Sequence, residues 1–189
     1  MYLPPPPIII NCVEPDKIYC ENLNKEGFIS YQNLEEINKN SKYDLIYSFN
    51  VLEHIEHDYE ILVDIKQKLA KNGRLLAKNG RLLLYVPAFN ILYSKFDKKL
   101  EHKRRYSKKD LCKKIENAGY KINKVKYADS IGFLCAIIYK IFINSDKLNK
   151  KTIEIYDRYL FPVSRFLDKI GLEYLFGKNI ILIAQIDEA

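Results

Sequence analysis

The chain has 189 residues, of which 48% are hydrophobic and 29% are charged. This composition excludes a disordered chain and is that of a globular protein with its own core. The net charge is +7, but basic residues alternate with apolar ones at helical spacing. Lysine-rich helix faces in contact with water therefore explain the charge better than a nucleic-acid or membrane surface does, and we expect no nucleic-acid partner.

The longest apolar run, 131–143, is shorter than the roughly 18 residues that span a bilayer, and Lys140 interrupts it. It predicts a buried helix and no membrane span. The first ten residues have neither the basic region nor the cleavage site of a signal peptide. The four cysteines form no Cys-x-x-Cys pair, which indicates reduced thiols in a cytoplasmic protein.

Strands and helices are predicted to alternate along the chain. Apolar runs that stop at proline, glycine or polar residues predict strands at 8–13, 28–31, 43–49, 82–86, 120–127 and 179–184. Helices are predicted at 16–26, from Asp58 (as the cap) to a stop at Asn72-Gly73, from Ser107 to Gly119, and over most of 131–170. Unbroken apolar strands separated by helices predict an α/β sheet covered on both faces.

We interpret residues 1–189 as one domain with two unusual segments. Residues 1–7 contain four consecutive prolines and predict an extended N-terminus, and 128–172 predict a mostly helical insertion near the substrate side. The heptad AKNGRLL at 70–76 is repeated without change at 77–83. The copy either lengthens the preceding helix, turns a small hairpin or loops out at the helix-to-strand junction, and we favour the surface insertion.

Polar residues follow the predicted strands, where open α/β sheets bind their ligands. Glu14 ends the first strand, and a carboxylate in that place is suited to the two hydroxyls of a ribose. A solvent-exposed carboxylate without a ligand is an equally good explanation of Glu14 taken alone.

Several segments in the right order are similar to one family. They are VEPD at 13–16, YDLIYSFNVLEHI at 43–55, GRLLLYVP at 80–87, and HKRRYS at 102–107 with AGY at 118–120. The chain resembles the class I S-adenosylmethionine-dependent methyltransferases, in the bacterial branch that carries the VLEHI and H.RRY motifs. The resemblance implies a Rossmann-like sheet, S-adenosylmethionine as cofactor, and methyl transfer to a small-molecule or lipid-like acceptor.

The resemblance also implies roles for single residues. The cofactor-binding residues that it implies are Glu14 at the ribose, Pro15 and Asp16 beside the adenosine, Asn33 and Leu34 at the adenine, and Phe49, Asn50 and Val51 at the methionine and sulfonium. His54 is expected to face the substrate entrance, where an imidazole could serve as a general base. Proximity and alignment alone can also be sufficient for methyl transfer.

The chain departs from the family at its N-terminus. A first strand and a glycine-rich turn should precede Glu14 by about 20 residues, but only thirteen residues precede it and none is glycine. We therefore expect an N-terminally truncated sheet that lacks its first strand and its cofactor loop. The alternative function is a non-catalytic methyltransferase-fold protein that cannot hold the cofactor.

Two further groups of residues have competing interpretations. His54 and His57 do not match the His-Glu-x-x-His pattern and His102 is far away in sequence, so we expect no metal site. The residues His102, Arg104, Arg105 and Tyr106 either clamp an anionic substrate or fix their own loop through Glu101 and Asp97. The aromatic residues of 133–166 are expected to be mostly core, with part of the segment covering the substrate pocket.

Overall fold

The structure, a computed structural model, describes residues 8–71, 80–143, 145 and 149–187. The prolines of 1–7 and most of the duplicated heptad, 72–79, lie outside the described residues. The chain divides into two compact units, Met1–Lys42 and Tyr43–Ala189. The interpretation of 1–189 as one domain stays a prediction, as does the place of the helical insertion on the substrate side.

The first unit contains a β-α-β arrangement. Strand β1 (Asn11–Val13) is parallel to β2 (Ile29–Tyr31), and helix α1 (Lys17–Lys25) connects them. The prediction of a buried strand from residue 8 is wrong, because Ile8 and Ile9 are 83% and 73% exposed. The physical reason is the length of β2, whose three residues pair only with Asn11 to Val13.

The second unit contains a four-stranded sheet in the order β3-β4-β6-β5. The strands are β3 (Leu45–Phe49), β4 (Arg81–Pro87), β5 (Tyr120–Ala128) and β6 (Asn179–Ile186). Strand β3 is parallel to β4, and β6 is antiparallel to both β4 and β5. The carboxyl ends of β3, β4 and β5 therefore meet at one edge of the sheet.

Helices flank this sheet, and the mixed α/β class predicted from the sequence is confirmed. The helices are α2 (Asp58–Lys68), α3 (Lys95–Lys99), α4 (Lys108–Asn117), α5 (Ser130–Phe142), α6 (Lys150–Ile155) and α7 (Phe161–Lys169). The core is formed by residues of α2, α4, β4 and β6. Its fully buried side chains include Leu62, Leu82, Leu84, Leu111, Ile115, Ile180 and Leu182.

Two helix predictions need correction. Helix α2 ends at Lys68, before Asn72-Gly73, because Leu69 turns extended and bridges Tyr43. Asp58 is the first helical residue and not the cap, because its carboxylate bonds to the side chains of Tyr106 and Arg104.

Helix α5 was predicted to be buried, and that prediction is wrong. Leu134, Ile138 and Ile141 are exposed, at the spacing that places them on one face of the helix. Among the helices that the structure describes, none is long and apolar enough to cross a bilayer.

Candidate functional site

Three strand ends are followed by a residue other than glycine with a positive φ angle. Asn50, Phe89 and Asp129 follow β3, β4 and β5, and their φ angles are 51°, 58° and 65°. Side chains other than glycine rarely adopt positive φ, and such residues cluster where ligands bind. The sequence does not predict these angles, and it is the sheet topology that places all three residues at the edge where open α/β sheets bind ligands.

The turn after β3 presents apolar side chains to solvent. Phe49 and Val51 are 50% and 48% exposed on either side of Asn50. The Asn50 N–H donates to the Tyr85 carbonyl at 2.8 Å, which holds the turn against β4. His54 closes the single 3₁₀ turn Leu52–His54 that follows, and its ring is exposed.

Aromatic rings lie along the same edge of the sheet, at the ends of β4 and β5. The Phe89 ring stacks on Tyr127 at 4.9 Å between centroids and meets Phe133 at 5.1 Å. The Tyr85 hydroxyl accepts a hydrogen bond of 2.8 Å from Asn179 Nδ2. Burial raises the pKa of Tyr85 to about 12, so this hydroxyl is neutral at physiological pH.

One side-chain oxygen of the residue that caps α1 is used by local structure. Asp16 Oδ1 accepts hydrogen bonds from the N–H groups of Ile18 and Tyr19, at 2.8 and 3.1 Å. Glu14 is half-buried, and its Oε1 accepts the Asp16 N–H at 3.0 Å. Because a carboxylate has about four acceptor positions, Glu14 retains the capacity to bind hydroxyls. Pro15 is exposed beside them.

Asn33 has a similar local role. Its Oδ1 accepts the N–H groups of Glu35 and Glu36, at 3.0 and 3.1 Å, and its Nδ2 donates to Glu36 Oε1 at 2.7 Å. It therefore caps the 3₁₀ turn that begins at Leu34, which is partly buried. One amide hydrogen remains for a ligand.

Asp97 is bound by His102 and Arg105. Its Oδ1 lies 2.9 Å from His102 Nδ1 and 2.9 Å from Arg105 Nε. Arg105 also donates to the Ala88 carbonyl at 3.3 Å. Its guanidinium is thus used inside the fold, and the role of these residues toward a substrate stays a prediction.

Asp58 is the second carboxylate that is bound by residues 102–106. Tyr106 is buried, and its hydroxyl donates to Asp58 Oδ2 at 2.8 Å. Arg104 lies 3.0 Å from Asp58 Oδ1 and donates to the Glu56 carbonyl at 2.8 Å. Lys114 bonds to the same carboxylate. The partners are thus Asp97 and Asp58, whereas the sequence suggested Asp97 and Glu101.

The side chains of Glu53, His54 and His102 lie close together, where the turn after β3 meets residues 102–106. The rings of His54 and His102 lie 4.7 Å apart at 84°, and His102 Nε2 is 3.9 Å from Glu53 Oε1. Burial raises the pKa of Glu53, whereas burial and then the charge of His102 lower that of His54. The expectation that distance in sequence keeps His102 apart is wrong.

Comparison with known families agrees with this geometry. A family model described as "Methyltransferase domain" matches residues 10–125, more than half of the chain. The chain belongs to this methyltransferase family. The matched residues run from β1 into β5 and include the turn after β3. A comparison with curated protein sequences finds no match.

Solved methyltransferase structures share the fold at low identity. An S-adenosylmethionine-dependent methyltransferase from Mesorhizobium loti is 11% identical, with a TM-score of 0.56 over 94% of this chain and 80% of that one. A putative methyltransferase from Bacillus halodurans C-125 is 15% identical, with a TM-score of 0.51 over 94% and 81%. An O-methyltransferase of a Brevibacillus brevis trans-AT PKS multienzyme, in complex with S-adenosyl-L-homocysteine, is 12% identical, with a TM-score of 0.55 over 95% and 59%.

Glu53 was not among the site residues predicted from the sequence, and Asp97 was predicted only as a possible partner of the loop residues. Glu53 lies in the VLEHI segment, but nothing in the sequence shows that its carboxylate is fully buried. The sequence signal for Asp97 is its N3 position in a Ser94-x-x-Asp97 capping box, which the structure forms.

Proposed function

We propose that this chain binds S-adenosylmethionine and transfers its methyl group to a small-molecule or lipid-like acceptor. The observation that carries the proposal is the turn after β3. There Phe49 and Val51 expose apolar side chains around the left-handed Asn50, at the edge where this class of sheet binds ligands. Family membership supports the same conclusion.

The residues present fit the cofactor in each unit separately. In the first unit, Glu14 keeps acceptor positions for ribose hydroxyls, with Pro15 and Asp16 at the adenosine and Asn33 and Leu34 at the adenine. In the second unit, Phe49, Asn50 and Val51 offer an apolar surface and an amide to the methionine part. When bound, S-adenosylmethionine supplies an electrophilic methyl group on a sulfonium sulfur.

The protein's own contribution is alignment and exclusion of water. Phe49 and Val51 would remove water from the reacting side, and exposed His54 is the residue that we place beside the acceptor. His102, Arg104, Arg105 and Tyr106 act as positioning residues, because their polar groups already bind Asp97 and Asp58.

Exposed apolar side chains on α5 support a lipid-like or otherwise apolar acceptor. Leu134, Ile138 and Ile141 form a stripe on a helix that begins at the same edge, directly after Asp129. The start of this helix is held in place: Asp129 Oδ1 accepts from Ser164 Oγ at 2.9 Å, and Asp168 Oδ2 accepts the Asp129 N–H at 2.8 Å.

Isothermal titration of the full chain with S-adenosylhomocysteine tests the proposal. We expect one molecule bound per chain, and a loss of about 10-fold or more in affinity for Glu14→Ala, because hydrogen bonds to a charged group each contribute about 1.5–3 kcal/mol. Phe49→Ala should also weaken binding. The matched controls are Glu21→Ala on exposed α1 and Leu45→Ala, which is exposed on the same strand as Phe49.

Absence of binding by the folded chain would overturn the proposal. It would favour the alternative, a methyltransferase-fold protein without catalytic function.

A further inference from the structure

Three side chains of the second unit bring metal-binding atoms together. One carboxylate oxygen of Glu53 and one ring nitrogen each of His54 and His102 all lie within 4.8 Å of one another. Two imidazoles and one carboxylate are the protein ligands of several catalytic zinc sites. Nitrogen donors favour transition metals over magnesium and calcium, which prefer oxygen.

No hydrogen bond from another described residue compensates for the burial of the Glu53 carboxylate. The residue is 0% exposed, and neither of its two carboxylate oxygens has a hydrogen-bond partner on another residue of the described part of the chain. A buried charged group without partners is costly, and natural proteins pair such groups or place them on metals. The neighbouring His102 Nε2, at 3.9 Å from Glu53 Oε1, is too far away for a hydrogen bond.

The same distance is close to that between two ligands of one ion. In a tetrahedral site, zinc bonds to nitrogen and oxygen of about 2.0–2.2 Å place two ligand atoms about 3.3–3.6 Å apart. The separation of 3.9 Å between His102 Nε2 and Glu53 Oε1 is slightly longer, so these two side chains would move closer together when an ion binds. All separations in the cluster lie within 4.8 Å, and His54 is exposed, which leaves its ring room to turn toward the ion.

His102 is oriented in the way that metal-binding histidines are. Its Nδ1 lies 2.9 Å from Asp97 Oδ1, which fixes the proton on Nδ1 and leaves the Nε2 lone pair on the side of Glu53. A carboxylate behind the imidazole is the usual second partner of such a ligand. Asp97 is itself held by Arg105 Nε at 2.9 Å and by the Ser94 N–H at 2.9 Å.

The backbone joins the two segments that carry the ligands. The Lys103 N–H donates to the Glu53 carbonyl at 2.8 Å, and the Tyr93 hydroxyl donates to the His102 carbonyl at 2.7 Å. The cluster is therefore assembled before any ligand arrives. His54 lies on its exposed side, which provides a path from solvent.

We propose that Glu53, His54 and His102 bind one divalent transition-metal ion of the zinc class, with the remaining coordination position open on the His54 side. The role of this ion in methyl transfer rests on the proposed function: the open coordination position would take an oxygen atom of the methyl acceptor. His54 then uses its ring nitrogen on the ion and is not the general base.

Cobalt(II) titration of the chelator-treated full chain tests the site without any assay of methyl transfer. We expect visible d–d absorption that saturates at one Co²⁺ per chain and disappears when Zn²⁺ is added. His54→Gln, Glu53→Gln and His102→Gln should abolish it. Asp97→Asn should weaken the affinity by about 10- to 100-fold, as expected for the residue behind a ligand.

Two controls make the result decisive. His57→Gln removes the third histidine of the chain, which is exposed and outside the cluster, and should leave the titration unchanged. The four free cysteines can also bind cobalt. Bands that persist in His54→Gln and disappear after thiol alkylation would overturn the proposal. No visible bands with the wild-type chain at excess Co²⁺ would overturn it as well. Because His54 is exposed, its variant tests the site even if Glu53→Gln fails to fold.

Discussion

Asp97 Oδ1 lies 2.9 Å from His102 Nδ1, and both side chains are nearly removed from solvent. The same oxygen accepts a hydrogen bond from Arg105 Nε, also at 2.9 Å. Burial opposes the charge on Asp97, but the bond and the positive charge of Arg105, followed by His102, hold the pKa of this carboxyl below its ordinary value. One carboxylate therefore holds together the segment between α3 and α4.

Replacing Asp97 should destabilise the fold. Asp97→Asn leaves the nearly buried Arg105 without its counter-charge, and removing one partner of a buried pair costs about 3 kcal/mol or more. We expect a loss of that size in the free energy of unfolding, measured by urea denaturation followed by circular dichroism at pH 7. Asp64→Asn, on the exposed side of α2, should stay within about 0.5 kcal/mol. A loss below about 1 kcal/mol for Asp97→Asn would contradict this account.

Asp58 predicts a pH dependence of stability. Burial acts to raise the pKa of Asp58, but hydrogen bonds from Lys114 and Tyr106, with the charges of Lys114 and Arg104, lower it below its ordinary value. The unfolded chain, with a pKa of about 3.9, therefore binds the proton more readily than the folded chain. The stability that this carboxylate contributes is fully present above the unfolded-state pKa, and is lost as the pH falls through the folded-state pKa.

Asp58→Asn should accordingly lower the free energy of unfolding by about 2 kcal/mol at pH 7, the value of hydrogen bonds to a charged group. The difference from wild type should be the same at pH 6 and should shrink below about pH 4, because protonation removes the charge from wild type as well. Urea denaturation at pH 7, 6 and 3 measures it. A difference that is independent of pH would mean that shape, and not charge, is what Asp58 contributes.

Much of the fold could be predicted because its signals are local. The apolar run of β4 stops at Pro87, and Ser107 accepts the Asp110 N–H at 3.0 Å as a helix cap should. The capping roles of Asp16 and Asn33 were also readable, since both residue types are preferred at helix starts.

The rest depends on contacts that no local pattern contains. Ile8 is exposed because the partner strand β2 is short. Whether one face of α5 is exposed depends on which other elements pack against that helix. The meeting of Glu53 with His102 joins residues that lie far apart in the chain, and only the fold of the second unit produces it. Burial of a carboxylate is likewise a property of the packed structure.

The left-handed conformation at Asn50 predicts a specific order of stabilities. With φ at 51°, Asn50→Val should cost about 1–2 kcal/mol, because a Cβ branch is poorly tolerated there, whereas Asn50→Gly should be within about 0.5 kcal/mol of wild type. Thermal and urea unfolding measure the order. Equal stability of the two variants would show that the turn changes its conformation at no cost.

The Asn50→Gly variant also distinguishes two ways in which the turn could bind the cofactor, namely through its backbone or through the side-chain amide of Asn50. If the turn's backbone is what binds S-adenosylhomocysteine, Asn50→Gly should keep the wild-type affinity in isothermal titration. If the amide contacts the ligand, Asn50→Gly should lose about 10-fold, the effect of one hydrogen bond of about 1–1.5 kcal/mol. Both outcomes require a folded chain, which the stability measurements establish first.

Within the heptad duplication, Ala70 and Gly80 lie next to each other in the fold. The Gly80 N–H donates to the Ala70 carbonyl at 2.8 Å, and the Ala70 N–H donates to the Tyr43 carbonyl at 2.9 Å. A Cβ on Gly80 would lie 2.7 Å from the Tyr43 oxygen, so glycine is required at this close approach. Nine residues, 71–79, separate the two hydrogen-bonded positions.

Removal of residues 71–77 should therefore leave the fold intact. Ala70 and Gly80 would then stand three apart, and their hydrogen bond would become that of a β-turn, with Asn79 and Gly80 in positions that suit such a turn. A shorter closed segment loses less entropy on folding, so we expect the free energy of unfolding to rise by about 1 kcal/mol. A third copy of the heptad is the matched control and should lower it by about 0.5 kcal/mol. A loss of several kcal/mol on deletion, measured by urea denaturation, would show instead that the duplicated residues pack against the rest of the chain.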